Sequence, residues 1–207
     1  VVLGEGRCAI RDGRADAQAV LTRYGVTPPP GIVFLETPKD DKYFARVTNI
    51  LFLSNQDALA AMHEEAAHRG YSATIANDHF TGEAREIGRD IIEKLHESPV
   101  KTAFLYAGES TVTLSASAGA GGRNQELALA ALADTHDDEI IFSFASDGRD
   151  NTDHAGAIAD EITKTHARAK NLSSEEYLNA HRSYDFFTTT GDALITGYTG
   201  SNVSDLI

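Results

Sequence analysis

Between residues 50 and 195 the chain alternates short continuous apolar runs with stretches whose apolar residues recur every three to four positions. The runs at residues 50–53, 72–75, 102–106 and 140–144 have the length of buried strands. Between them, Leu59, Met62, Ala66 and Ala67 fall on one helical face behind a cap at Ser54 or Asn55. Ile87, Ile91, Ile92 and Leu95 do the same ahead of Pro99. Further helices are predicted at 124–133, at 158–169, and after Ser173, where Glu176 completes a capping box. Residues 111–115 alternate like a half-exposed strand. Strands interleaved with helices indicate an α/β fold: a layered, largely parallel sheet flanked by helices. Upstream, Ala17, Val20 and Leu21 predict a helix over 14–24 that stops at Gly25. Pro28, Pro29 and Pro30 form a stiff connector, and 36–43 a polar loop.

A net charge of −13 excludes the basic footprint that duplex nucleic acid or an anionic membrane requires. Any site for an anionic ligand must then be built locally, from a helix N-terminus, backbone amides and a few cations. Cys8 is the only cysteine, so no internal disulfide forms. No signal-like segment is visible, and no apolar run nears the roughly 20 residues that span a bilayer. The expectation is a soluble cytoplasmic protein. Both ends read as cut: the chain opens on Val1 without Met and stops at Ile207 just after a Gly/Asn-rich loop.

Four stretches can carry chemistry. Glu109 and Ser110 follow Gly108 at a strand end, where ligands of open α/β sheets gather; a solvated turn is the alternative. Gly119, Gly121 and Gly122 lead through Arg123, Asn124 and Gln125 to Glu126 at a helix start. Closely spaced glycines let amides approach an anion, and Arg123 can fork onto a carboxylate or phosphate. The alternative is a flexible loop with Arg123 or Asn124 opening the helix. The run is neither a Walker P-loop nor a dinucleotide fingerprint. Asp147, Gly148, Arg149, Asp150, Asn151 and Asp153 share one loop after the 140–144 strand. Its three acids suit Mg²⁺ held through one or two oxygens, or else an Asx-type turn that caps the next helix through Asp153. Thr199, Gly200 and Asn202 lie in a last hydroxyl- and glycine-rich turn. His63 and His68 lack the zincin spacing, and all eight histidines read as surface or core-edge residues.

Taken in order, these stretches resemble the glycerate 2-kinase family, whose C-terminal module is called the MOFRL domain. The runs from Gly108 to Thr113, Gly121 to Leu129 and Ser146 to Asp150 carry the resemblance. It continues through Thr152, Asp153, Gly156, Thr189, Gly191, Asp192, Gly197, Thr199, Gly200 and Asn202 to Leu206. Ala107, Asn151 and Tyr198 depart from it, standing where the family usually has Gly, Pro and Pro. The resemblance implies a MOFRL-type domain over 101–207 and, over 1–100, the tail of a second, larger α/β domain. It also implies ATP-dependent phosphorylation of the 2-hydroxyl of D-glycerate, with Mg²⁺. In the family the absent first half carries a catalytic lysine and much of the nucleotide site, so activity is expected only from the intact protein.

On this reading Arg123, Asp147, Arg149 and Asp150 are catalytic. Glu109, Ser110, Gly121, Gly122, Asn124, Glu126, Gly148, Thr199, Gly200 and Asn202 bind substrate or nucleotide, and Asp147, Asp150 and Asp153 hold the metal. An NAD(P)H-dependent hydroxypyruvate reductase, a label some relatives have carried, would need the missing fingerprint. A non-catalytic binding module is the third reading. Apolar surface on the segment before Pro28 would favour a homodimer.

Overall fold

A computed structural model describes residues 2–3, 7–8, 13–36, 38–48 and 50–207. It divides into two compact units, Val1–Phe52 and Leu53–Ile207. In the first, β1 (Val2–Leu3) pairs antiparallel with β2 (Arg7–Cys8), and α1 (Gly13–Arg23) ends at Gly25, whose φ of 63° is a glycine conformation. A single 3-10 turn, Asp41–Tyr43, is capped by Asp40, which accepts from the Lys42 amide at 3.0 Å. The predicted strand at 50–53 does not form. An apolar run becomes a strand only against another strand, and Ile50, Leu51 and Phe52 stay exposed.

The second unit holds α2 (Asn55–His68), β3 (Ser72–Glu83), α3 (Ala84–His96), β4 (Thr102–Thr111), α4 (Arg123–Leu132), β5 (Ile141–Ala145) and β6 (Gly156–Ala159). The helices α5 (Glu161–Ala169), α6 (Ser174–Asn179) and α7 (Ser183–Thr190) and the short strands β7 (Ala193–Leu194) and β8 (Asp205–Leu206) follow. Six strands form one sheet in the order β3-β4-β8-β5-β6-β7. β3 and β4 are parallel over nine register pairs, so the sheet runs across the expected boundary at residue 100. The other four pairings are antiparallel. The sheet is therefore mixed, not largely parallel. The reason is local: β8 arrives from a loop rather than a helical crossover, and β6 follows β5 through a loop alone.

Side chains alternate along β4. Leu105 and Ala107 pack with Leu59 of α2 and Leu206, whereas Phe104 and Tyr106 join the larger core beneath α3, α4 and α7. Helix α4 is the centrepiece, with nine of its ten residues buried. A Cβ on Gly88 of α3 would sit 2.4 Å from the Leu127 carbonyl, so only glycine permits this helix approach. Ser54 caps α2 as expected, its amide and hydroxyl both donating to Asp57 at 2.8 Å.

Two further expectations are corrected. Residues 112–115 are not a strand, because the pairing of β4 with β3 ends at Thr111 and, among the described residues, no strand lies beside those that follow. Ile158 belongs to β6, and Asp160 starts α5 afterwards by accepting from the Thr163 amide at 2.8 Å. Helix α7 and strand β8 were not anticipated, since neither shows a clear periodic pattern.

Candidate active site

The glycine run and the acidic loop meet at the N-terminus of α4. Asp150, buried, accepts from the Asn124 and Gln125 amides at 3.1 and 2.9 Å and from both side-chain amides at 3.2 and 3.1 Å. The helix end predicted to bind a ligand anion is thus largely taken by the protein's own carboxylate. This packing also explains the glycines. A Cβ on Gly122 would strike the Asp150 backbone and carboxylate, and one on Gly121 would strike the Ser183 hydroxyl. Asn124 passes the network on, accepting from the Ser143 hydroxyl at 2.7 Å. Asn151 donates to the Gly121 carbonyl at 3.1 Å.

Asp147 and Asp153 turn elsewhere. Asp147 Oδ1 accepts from the Arg149 amide at 2.9 Å, an Asx turn, and Asp153 lies beside the Tyr184 hydroxyl, whose pKa it raises. The predicted trio of Asp147, Asp150 and Asp153 therefore has three separate partners. Among the described residues these carboxylates do not converge on a common point, and they do not fit a metal held by all three.

The last loop docks on the acidic one. The Thr199 hydroxyl donates to the Ser146 carbonyl at 2.6 Å, its amide to the Asp147 carbonyl at 3.1 Å, and Gly148 lies against the Gly197 carbonyl, leaving no room for a Cβ. Gly200 and Asn202 stay exposed, with Asn202 accepting from the Ser204 amide at 3.2 Å. That docking sets Asp205 beneath Arg123. The guanidinium meets the buried Asp205 carboxylate at 3.1 and 3.2 Å and Glu109 at 3.8 Å. Burial pushes Asp205 above the usual carboxylate range, outweighing the nearby Asn124 and Arg123 that act to lower it. Partial burial opposes the charge of Arg123, but Asp205, Glu109 and Asp150 together raise its pKa.

A cavity of about 420 Å³ opens beside this pair, bordered by Gly121, Gly122, Arg123, Glu126, Arg149 and His181. Glu126 forms its floor. It is buried, held by Arg85 at 2.6 Å and by His181 Nδ1 at 3.0 Å. The exposed Arg149 side chain has no ion-pair partner among the described residues. Glu109, Ser110, Asn124, Gly148, Thr199, Gly200 and Asn202 do not border the cavity, and Ser110 is buried. Chemically the cavity offers two guanidinia and adjacent glycine backbone to a small anion.

Asp205, Arg85 and His181 were missed as site residues. Asp205 stands within the resembling run, yet its part depends on β8 bringing it under Arg123. Arg85 and His181 lie 41 residues before and 55 residues after Glu126, and no local signal links them.

The MOFRL family model matches residues 102–205, half of the chain. The chain belongs to the MOFRL family. It is 35% identical over 181 residues to a glycerate 2-kinase of Pyrococcus horikoshii, covering 83% of this chain and 41% of that protein. To a D-glycerate 2-kinase of Thermotoga maritima it is 34% identical over 227 residues, covering the whole of this chain and 54% of the relative. The crystal structure of a Thermotoga maritima glycerate kinase superposes with a TM-score of 0.74 at 33% identity, over 93% of this chain and 49% of that one. The MOFRL chain thus spans about half the length of these relatives, and the resemblance to the glycerate 2-kinase family holds over most of its length. No helix among the described residues is long and apolar enough to cross a membrane.

Proposed function

We propose that this chain is the C-terminal portion of a kinase that transfers the γ-phosphoryl group of ATP to the 2-hydroxyl of D-glycerate. In this reading the MOFRL-type domain holds residues 101–207 and residues 1–100 are the tail of the larger N-terminal domain, except that β3 is built into the MOFRL sheet. Relatives named glycerate 2-kinase support the reaction class. The observation that carries the site is the pair Arg123 and Arg149 on one cavity beside the Gly121–Gly122 backbone.

In this reading the two guanidinia hold the glycerate carboxylate and the transferred phosphoryl oxygens. Phosphoryl transfer needs positioning and charge neutralisation more than covalent chemistry. Asp205 and Glu109 fix the reach of Arg123. Asp150 and Asn124 act as positioning residues, because their polar atoms are spent on the α4 end. The oxygen of the 2-hydroxyl attacks the γ-phosphorus, the bond to ADP breaks, and Asp147 takes the hydroxyl proton on Oδ2, which has no partner among the described residues. In the family a catalytic lysine and much of the nucleotide site lie in the N-terminal half, so this chain alone is expected to release no ADP.

A coupled ADP-release assay on the intact protein with D-glycerate tests this. Arg123→Ala is expected to lower kcat/KM by about 10²-fold, the loss typical of one transition-state donor. Turnover unchanged in both Arg123→Ala and Asp147→Ala would sink the assignment.

A further inference from the structure

At the other end of the sheet, where β4 and β5 begin, lies a second constellation that the proposed reaction does not use. His96 closes α3, and His136 and Glu139 form the turn between α4 and β5. His96 Nε2 is 3.2 Å from Glu139 Oε2, and His136 Nδ1 is 3.5 Å from Glu139 Oε1. One ligand atom from each residue lies within 4.8 Å of the others. The imidazole rings stack at 3.9 Å between centroids, and the Asp134 carbonyl is 3.1 Å from His96 Nε2. We propose that His96, His136 and Glu139 form a site for a divalent transition-metal ion of the zinc class, which staples the end of α3 to the α4–β5 turn.

Zinc–nitrogen and zinc–oxygen bonds at a tetrahedral angle place neighbouring donors about 3.3–3.6 Å apart. The 3.2 and 3.5 Å edges lie near that spacing, one to each oxygen of Glu139, and binding requires the two stacked rings to turn so that their nitrogens face one ion. Two imidazoles and a carboxylate suit a borderline ion, whereas Mg²⁺ and Ca²⁺ prefer all-oxygen shells. With neutral imidazoles the three side chains sum to one negative charge, and Asp137 and Asp138 in the same turn add to it. The three residues also border a cavity of about 490 Å³, which gives an ion access and leaves a fourth position for water or a small ligand. The ligands come from segments 40 residues apart in sequence, so no local spacing announces them.

The test uses the full chain, stripped with a chelator and titrated with Zn²⁺ alone by calorimetry, then with Co²⁺ read by visible absorption. The expected result is one Zn²⁺ per chain, an intense four-coordinate Co²⁺ band, and a metal-dependent rise in Tm. His136→Asn, at an exposed position, and Glu139→Gln are each expected to weaken Zn²⁺ binding at least tenfold, judged against the 10–100-fold typical of merely supporting residues. Both should leave the metal-free Tm within a few degrees, and millimolar Mg²⁺ should not displace the ion. Absence of uptake, uptake unchanged in both variants, or a weak octahedral Co²⁺ spectrum would overturn the proposal. None of these readouts depends on kinase activity.

Discussion

Helix α4 opens with Arg123, Asn124, Gln125 and Glu126, and the last three of these are at most 2% exposed. Ile50, Leu51 and Phe52, a purely apolar run, are 80, 73 and 94% exposed. Composition alone would order them the other way. Burial follows the supply of partners: each buried polar group of α4 meets a matching donor or acceptor, and the apolar run meets no strand. A polar helix end enters a core when its hydrogen bonds are complete, and an apolar run stays outside when nothing is there to cover it.

The contrast can be broken most severely at Asp150. Asp150→Ala strands two buried backbone amides and two side-chain amides, and is expected to destabilise the second unit by about 3 kcal/mol in chemical denaturation. A loss below ~1 kcal/mol would mean the network is ornamental.

The next effect is one of pH. His154 is buried against Tyr184 and bonded through Nδ1 to Gln125 Oε1, and burial lowers its pKa despite Asp153 and Asp150 nearby. The unfolded chain therefore takes up its proton first. Stability from this group is complete above the ordinary histidine value of about 6.5 and is lost as pH falls through the depressed folded value. Urea midpoints should fall more steeply between pH 7 and pH 5 in the native chain than in His154→Gln; equal slopes would remove His154 from the network.

Smallest of all is the exposed run. Phe52→Ser should shift stability by no more than about 0.5 kcal/mol in this chain, and a larger loss would show that the side chain is covered in solution.

Much of the second unit was legible because its periods are local. The faces of α2 and α3 and the runs that became β4 and β5 can be read from residues a few positions apart. The strand at 50–53 failed because a run of Ile, Leu and Phe says nothing about whether a neighbour exists. The site was half legible. Gly121, Gly122, Arg123 and the Asp147–Asp153 loop stood out by composition, but composition could not say that Asp150 would face inward to the helix while Asp147 closed its own turn. Asp205, Arg85 and His181 matter through contacts across 82, 41 and 55 residues, which only the fold supplies.

Strand β8 sits between β4 and β5, with Tyr106 and Ile207 exchanging amide bonds at 2.9 and 3.0 Å beside it. On a ribosome, every other strand of this sheet emerges before the two residues that join its halves. Until Asp205 and Leu206 are available, β3–β4 and β5–β6–β7 are separate ribbons with bare inner edges, and the groove that Arg123 faces has no back wall. Assembly of the sheet and of the arginine's seat is then a single late event in the life of each new chain.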